Sequence, residues 1–402
     1  MKALRLPCSL LVLLLTSLLV ACSGSNTTIA PSHPATPTPK SLSVSDTSAT
    51  ALLGQPNFTS PTCNNPGLTD SQQLCHPVGV AIDNRSGNLF VADGDNNRVL
   101  IWPKASDFTN GQAASVVLGQ PNFTINQKCG KTNAGSLCDP NNLAVDATGN
   151  LFVADTDGNR VLEFRPPFSS GMSASLVLGQ PSFDNATCGA GDTRLCAPRD
   201  VTVDANGNVW VVDADNNRVL EFDAPLMSGE AAHLVIGQST FSTNRCNQGG
   251  RPSAGSLCSP KGIALDKAGN LYVADNDNNR VLEYTHPLTS DPSAAGVFGE
   301  PNFTTAACST SMSSLCAPHR VAVDASGQLI VSDSDNNRVL VYSHPLSSRT
   351  ADIVFGQPNF TSHASTTSAT GLAGPQGIAM DRQGNLYLTD EDNNRVLRYD
   401  AH

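Results

Sequence analysis

The chain has few charged residues, and the deficit is largest among the basic ones. Of its 402 residues only 15% are charged, and 24 Lys and Arg stand against 35 Asp and Glu, which gives a formal net charge of −11. Nucleic acids and anionic membrane surfaces are bound by clustered Lys and Arg side chains. The composition therefore argues against either as a partner.

The sequence motifs of common catalytic sites are missing as well. The folded part has no G-x-S-x-G, no H-E-x-x-H and no phosphate-binding loop. Its cysteines form no C-x-x-C pair, which argues against a zinc or haem site. No common catalytic motif therefore identifies the chain as an enzyme.

The amino terminus carries an export signal. Lys2 and Arg5 precede an apolar run from Leu10 to Val20, which is too short for a membrane span and typical of a secretory signal. The run ends in Leu-Val-Ala-Cys, which resembles the bacterial lipobox, whose Cys is lipidated. We predict lipidation at Cys22, and the alternative is an ordinary cleaved signal that ends near a cysteine.

We predict three parts along the chain. Residues 1–21 are predicted to be a lipoprotein signal peptide. Residues 22–50 comprise the lipidated Cys and a tether rich in Ser, Thr and Pro, and residues 51–402 form the folded domain. The protein is expected to be exported and to contact a membrane only through its lipid anchor, in the periplasm or at the cell surface.

Ten further cysteines fit an oxidising location. They fall in five pairs, each at the same point of an internal repeat, which favours local disulfides formed outside the cytosol over other connectivities. The predicted pairs are Cys63 with Cys75, Cys129 with Cys138, Cys188 with Cys196, Cys246 with Cys258, and Cys308 with Cys316.

The repeat is marked by the stretch D-x-D-N-N-R, which occurs six times, once with Gly for the first Asn, at intervals of 57 to 62 residues. Each unit contains four short apolar segments separated by Gly, Asn and Pro turns, which is the pattern of a four-stranded antiparallel blade. The last unit has only three segments. Its missing strand is supplied by Ala51 to Gln55, which precede the first unit.

The units "PVGVAIDNRSGNLFVADGDNNRVLIW" and its five relatives resemble the NHL repeat, whose pattern is P-x-G-V-A-V-D-x-x-G-N-x-Y-V-A-D-x-x-N-x-R-V. The resemblance implies a six-bladed β-propeller. The expected fold is therefore all-β, with six four-stranded antiparallel blades and a ring closed by the N-terminal strand pairing with the last blade.

The D-x-D-N-N-R stretch also looks like the start of an EF-hand calcium loop. The sixth position of such a loop should be Gly and is Arg in every copy, and the twelfth position of the first copy is Lys104 instead of Glu. We interpret the stretch as the turn between the second and third strands. Its Arg is predicted to pair with the Asp that ends the second strand of its own or a neighbouring blade.

Function is expected where the copies differ, at the P-x-G entry to the innermost strand. Three units replace this Gly by a polar residue, and the variable place beside it is polar in five units. These side chains are predicted to converge on the channel mouth and to bind a polar ligand. They are Asn141, Asn142, Arg199, Asp200, Lys261, His319, Arg320 and Gln376. The alternative is a solvated rim with internal ion pairs, such as Arg199 with Asp200.

The family resemblance also implies enzyme alternatives. The amidating lyase, an NHL-like propeller, holds zinc with several central histidines, but only His76 and His319 lie near the predicted mouth. Propeller lactonases hold calcium with central carboxylates and amides, part of which Asn142 and Asp200 imitate. No metal ligand is assigned and no cofactor is expected, the alternative being one divalent metal ion in the central channel.

We therefore expect a monomeric binding or scaffold module for an envelope protein, peptide or glycan. The alternative is a metal-assisted hydrolase or lyase with its site at the channel mouth.

Overall fold

The structure is a computed structural model, and it describes residues 41–43, 47–64, 69–127, 130, 132–287 and 289–401. The predicted signal peptide, the lipidation at Cys22 and most of the tether lie outside these residues. None of the described residues belongs to a helix that is long and apolar enough to cross a bilayer.

Short runs of Val, Ile, Leu and aromatic residues, separated by Gly and Asn turns, form 24 strands in six four-stranded sheets among the described residues. Blades 1 and 2 consist of β2 (Pro77–Asp83), β3 (Asn88–Asp93), β4 (Arg98–Trp102) and β5 (Val116–Leu118), and of β6 (Pro140–Val145), β7 (Leu151–Asp155), β8 (Arg160–Phe164) and β9 (Leu176–Leu178). Blades 3 and 4 consist of β10 (Pro198–Val203), β11 (Val209–Asp213), β12 (Arg218–Phe222) and β13 (Leu234–Ile236), and of β14 (Pro260–Leu265), β15 (Leu271–Asp275), β16 (Arg280–Tyr284) and β17 (Gly296–Phe298). Blades 5 and 6 consist of β18 (Pro318–Val323), β19 (Leu329–Asp333), β20 (Arg338–Tyr342) and β21 (Ile353–Phe355), and of β22 (Pro375–Met380), β23 (Leu386–Asp390), β24 (Arg395–Tyr399) and β1 (Ala51–Leu53).

Strand β1 closes the ring as the fourth strand of blade 6. It runs antiparallel to β24, with Leu52 opposite Leu397. The predicted six-bladed propeller and its mode of closure are confirmed. Closure removes the sheet edges that an open array of blades would expose.

The hydrophobic core lies between neighbouring blades. Six clusters of buried side chains each combine residues from two adjacent sheets, for example Val91 and Trp102 of blade 1 with Tyr387 and Val396 of blade 6. Both faces of every blade are therefore covered, which is why apolar residues occupy both faces of the strands instead of alternating with polar ones.

A buried Asp–Arg pair holds each blade to the loops that enter and leave it. In blade 3, Arg218 Nε lies 2.7 Å from Asp213 Oδ2, and neither side chain is exposed. Arg218 also donates to the carbonyls of Arg194, in the incoming loop, and of Phe241, in the outgoing loop. Asp213 accepts the N–H of Cys196 through its other oxygen. The same pair recurs in all six blades, always within one blade.

These contacts confirm that D-x-D-N-N-R is a structural turn. In blade 3, Asn216 donates to Asp213 Oδ2 at 2.8 Å, and Asn217 adopts a left-handed backbone with φ of 54°. Both carboxylate oxygens of Asp213 are therefore occupied by protein donors, and the cation of Arg218 lies where a calcium ion would need room.

Four of the five predicted disulfides are present, and all are local. They join Cys63 to Cys75, Cys188 to Cys196, Cys246 to Cys258, and Cys308 to Cys316. Cys138 is also disulfide-bonded, while its predicted partner, Cys129, lies outside the described residues. Disulfides of this number indicate an oxidising, extracytosolic environment.

Part of the expected tether packs on the propeller. Leu42 is 3% exposed and Ala49 is 7% exposed, and both belong to the core cluster between blades 5 and 6. The Leu42 N–H donates to Gln328 Oε1 at 3.0 Å. Packing therefore begins before Ala51, because an isolated Leu in a Ser- and Thr-rich segment finds an apolar site between two blades.

This packing predicts a graded response to truncation. Chains that start at Ser41, Ala51 and Pro56 should melt at successively lower temperatures. The step to Ala51 removes buried Leu42, a loss of about 2–4 kcal/mol by analogy with Leu→Ala changes in cores. The step to Pro56 also removes β1 and exposes the edge of β24. Equal melting temperatures for the two shorter chains would contradict ring closure by β1.

Candidate functional site

A polar cavity of about 350 Å³ opens at one end of the central channel. We call it the mouth cavity. Its lining consists of His76, Val78, Asp95, Asp139, Asn141, Arg199, Lys261, His319, Arg320, Gln376 and Glu391. The volume is that of a site for a small ligand.

Two features of the repeat bring polar side chains to the face where this cavity lies. The Pro that begins each innermost strand pairs with the Asp that ends the second strand, as Pro77 does with Asp93, so entry positions and D-x-D-N-N-R turns share one face. The residue before the Pro has a left-handed backbone, with φ of 47° at His76 and 51° at Asp139. The N–H of this residue donates to the side-chain oxygen of an Asn in the preceding blade. For Asp139 the acceptor is Asn97 Oδ1, at 3.0 Å.

Six of the eight predicted residues line the cavity, and two lie beneath it. Asn142 and Asp200 occupy the position where the repeat pattern has Gly, one residue deeper along their strands. Asp200 is 1% exposed. Arg320, at the same depth in blade 5, is also 1% exposed but reaches the cavity floor.

Arg320, Asp200 and Asn142 form a layer that we call the plug. Asp200 accepts from Asn142 Nδ2 at 2.5 Å and from the N–H of Ile263 at 2.8 Å, and its Oδ2 lies 3.9 Å from Arg320 Nε. Below this layer, a second cavity of about 470 Å³ is lined mainly by the apolar residues that follow it on the six inner strands. The plug therefore separates two chambers of the channel.

The guanidinium of Arg320 ties together backbone from three blades. It donates to the carbonyls of Arg199 in blade 3, Lys261 in blade 4 and His319 in its own blade, and to the Asn141 side chain of blade 2. Burial lowers the pKa of Arg320, while the nearby Asp200 carboxylate opposes that shift. A buried charge with this many partners contributes to the architecture of the channel.

Arg199 and Asp200 do not form an ion pair with each other. Such a pair would be expected if the mouth were a solvated rim whose charges pair internally. Arg199 faces Asp139 of blade 2, with Nη1 3.9 Å from Oδ2, and Asp200 faces Arg320. Consecutive residues of a strand point in opposite directions, so neighbours in sequence pair with other blades instead of with each other.

Blades 1 and 4 have Gly at the entry position because the backbone of a neighbouring blade lies against it. A Cβ on Gly79 would lie 2.3 Å from the carbonyl oxygen of Asn141, and a Cβ on Gly262 would lie 2.4 Å from that of His319. Side chains at this depth are present only in blades 2, 3 and 5, and these three residues form the plug.

The ionisable groups of the cavity are strongly perturbed by their partial burial. Burial, together with the nearby charges of Arg199 and Arg320, lowers the pKa of Lys261 to about 8. Burial lowers the pKa of His319 to about 3, which leaves its imidazole neutral. On the other side, burial raises the pKa of Glu391 and of Asp139.

His76 behaves differently from His319. Burial lowers its pKa, but the hydrogen bond and charge of Asp95 outweigh that effect and leave the pKa raised. The two side chains form a pair with Nδ1 2.6 Å from Oδ2.

Three acidic residues of the cavity were absent from the sequence prediction. Glu391 stands in the second place of D-x-D-N-N-R, where the other copies have Gly, Thr, Ala, Asn or Ser, and Asp139 stands before the Pro, where the copies also differ. Comparing the six copies at these two positions as well would have identified Glu391 and Asp139. Asp95 carries no such signal, because all six copies have Asp there.

Metal ligands are sparse in this part of the molecule. Among the described residues, one group of three donors lies close enough to hold an ion, formed by Cys75, His76 and Asp95. The sulfur of Cys75 is bonded to Cys63, so two donors remain. The Asn142 and Asp200 pair suggested for calcium faces the Arg320 cation, which repels a metal ion.

The family model for the NHL repeat matches five of the six units, at residues 74–102, 195–222, 257–284, 315–342 and 372–399. The second unit, from Pro140 to Phe164, has the same three inner strands.

Among curated proteins, the chain is similar to mouse teneurin-3, with 25% identity over 375 residues that cover 84% of this chain and 13% of the teneurin. It is also similar to peptidyl-glycine alpha-amidating monooxygenase A of Xenopus laevis, with 26% identity over 223 residues that cover 54% of this chain and 22% of that protein. The chain thus spans less than a quarter of the length of either relative.

Solved structures show the same fold at low sequence identity. A gluconolactonase from Xanthomonas campestris aligns with a TM-score of 0.52 and 16% identity, covering 88% of this chain and 98% of that one. A protein of unknown function from Bacteroides thetaiotaomicron aligns with a TM-score of 0.57 and 14% identity, covering 87% and 75%. At such identities the likeness concerns the fold alone.

The plug predicts a specific pattern of stability changes. Arg320→Met should lower the free energy of unfolding by about 3–5 kcal/mol, because it leaves the Asp200 carboxylate buried without a cation. Adding Asp200→Asn should recover part of that loss, since an amide needs no counter-charge. Urea unfolding of the single and double variants measures both effects. If Arg320→Met left stability unchanged, the plug would not be a structural layer.

Proposed function

Because the chain is an NHL-repeat β-propeller, we propose that it is a binding protein whose mouth cavity holds a small zwitterionic ligand, a short peptide with both termini free. The observation that carries this proposal is the arrangement of charge around the cavity. The carboxylates belong to blades 6, 1 and 2, through Glu391, Asp95 and Asp139, whereas the cations belong to blades 3, 4 and 5, through Arg199, Lys261 and Arg320.

A zwitterion complements such a cavity at both of its ends. A ligand carboxylate would face Lys261 and Arg199, and a ligand ammonium would face Glu391 and Asp139. The Arg199 side chain is 30% exposed and its ion pair with Asp139 is long, at 3.9 Å, so the cationic half retains donors for an incoming carboxylate. An uncharged glycan would leave these groups without partners.

The compartment supports a ligand from the cell envelope. Local disulfides indicate an oxidising environment, and the lipobox-like segment ending at Cys22 remains a prediction from the sequence that would keep the propeller at a membrane surface. Peptides at that surface are candidates for the ligand.

The proposal is tested by titrating trialanine with free ends against its N-acetylated and C-amidated forms, using calorimetry. Each blocked form should bind at least about tenfold more weakly, a loss of about 1.4 kcal/mol per missing charge. Lys261→Gln and Glu391→Gln should each weaken binding of free trialanine similarly. Lys267→Gln is the matched control, because Lys267 is exposed in a turn at the other end of an inner strand. Equal affinity for free and blocked peptides would overturn the proposal.

The depressed pKa of Lys261 predicts a pH dependence. Lys261 carries its charge below about pH 8 and loses it above, so affinity for a carboxylate should fall as the pH rises from 7 to 9. N-acetylated trialanine is the appropriate ligand, since it has no amine of its own that titrates in this range. Lys261→Arg should bind it with little change over the same range. An unchanged affinity of the wild type across that range would exclude Lys261 as the carboxylate partner.

A further inference from the structure

The outermost strand of a propeller blade has one edge without a neighbouring strand, and in this molecule most of these edges are capped internally. On β13, Val235 donates its N–H to Ser290 Oγ at 3.2 Å, and its carbonyl accepts the N–H of Asp291 at 2.8 Å. The cap is the loop between the third and fourth strands of the next blade. Equivalent pairs of bonds hold Leu52 of β1, Val117 of β5 and Val177 of β9.

The edge of β17 in blade 4 lacks such a cap. Its register is the same, with Val297 opposite Leu282 as Val235 is opposite Leu220, so the N–H and C=O of Val297 point outward. Within the part of the chain that the structure describes, neither group has a hydrogen-bond partner. Val297 is partly exposed, whereas Val235 is 1% exposed.

The cause is a shorter loop in blade 5. In blade 4 the loop reaches Ala294 ten residues after Tyr284, but in blade 5 the matching Ala351 follows Tyr342 by nine. The capping loops turn at a residue with positive φ, such as Asp291 with 56°. The blade 5 loop has no such residue, and the N–H of Ser348 is used within the loop, donated to the carbonyl of His344 at 2.9 Å.

Arg349 of this loop makes a different contact with blade 4. Its Nη2 lies 2.8 Å from Glu283 Oε2, and its guanidinium lies 4.2 Å from the ring centre of Phe298. Its Nη1 is buried without a hydrogen-bond partner. A groove of about 650 Å³, lined by Val297, Arg349 and Phe303 among others, runs along the strand.

We propose that the edge of β17 is a docking site for a turn segment of a partner polypeptide, which caps blade 4 as the internal loops cap four other blades. The molecule itself indicates the chemistry that fits. Three of the four caps are Ser-Gly or Asn-Gly, in which a side-chain oxygen accepts the strand N–H and the Gly N–H donates to the strand carbonyl.

The proposal is confined to β17. Val354 of β21 is also partly exposed and has no cap among the described residues. The groove beside it, however, is lined in part by Thr47, next to residues 44–46, which the structure does not describe.

The test uses a synthetic peptide with the sequence of the blade 3 cap, residues 225–233, titrated against the full propeller while amide signals are followed by NMR. The amide of Val297 should shift, whereas that of capped Val235 should not. A peptide N-methylated at Gly229 lacks the donor and should bind at least tenfold more weakly. Absence of a shift at Val297 up to millimolar peptide would overturn the proposal.

Two protein variants separate docking from unrelated effects. Val297→Pro removes the outward N–H, a loss that an edge strand tolerates, and should weaken peptide binding at least tenfold. Insertion of a Gly between Ser347 and Ser348 restores the length of the capping loops and should block the edge without altering β17. Val354→Pro is the matched control and should bind the peptide as the wild type does. Unchanged binding in both of the first two variants would overturn the proposal. A dimer that Val297→Pro dissolves would replace the partner polypeptide by a second copy of the chain.

Discussion

The buried Asp–Arg pair of each blade is the interaction on which the rest of the structure depends. A guanidinium without access to water is stable only if hydrogen-bond acceptors surround it, and here it binds one carboxylate and the carbonyls of two separate loops. Any other path of those loops leaves a buried charge without partners. The incoming loop, the outgoing loop and the inner turn are thereby brought to one face of every blade.

This constraint leaves the axis as the place where the blades are able to differ. Six identical frames bring six entry positions together, and in three of the blades the backbone comes too close for a side chain, as at Gly79 and Gly262. Three blades supply the plug, and the residues above it line a cavity whose charges are separated by blade. Closing the ring with β1 fixes which blades face each other across that cavity.

The same repetition makes local departures informative at the rim. Four outer strands are capped by one kind of loop, so a loop shorter by a single residue leaves the backbone groups of Val297 without partners. Arg349 compensates by packing on Phe298 and pairing with Glu283, which stabilises the contact between blades without covering the strand edge. Blade 4 is in this way open where most of its counterparts are closed.

The sequence by itself determined the blade number, the ring closure, the four observed disulfide pairs and the structural role of D-x-D-N-N-R, because each follows from comparing the repeated units with one another. It also identified six residues of the mouth cavity from their variability. Only the tertiary structure decided that Asp200 pairs with Arg320 instead of Arg199, and that Glu391 and Asp139 join the cavity. The packing of Leu42 between blades 5 and 6 is of the same kind. These contacts link residues far apart in the chain, and their partners depend on which blades the closed ring sets side by side.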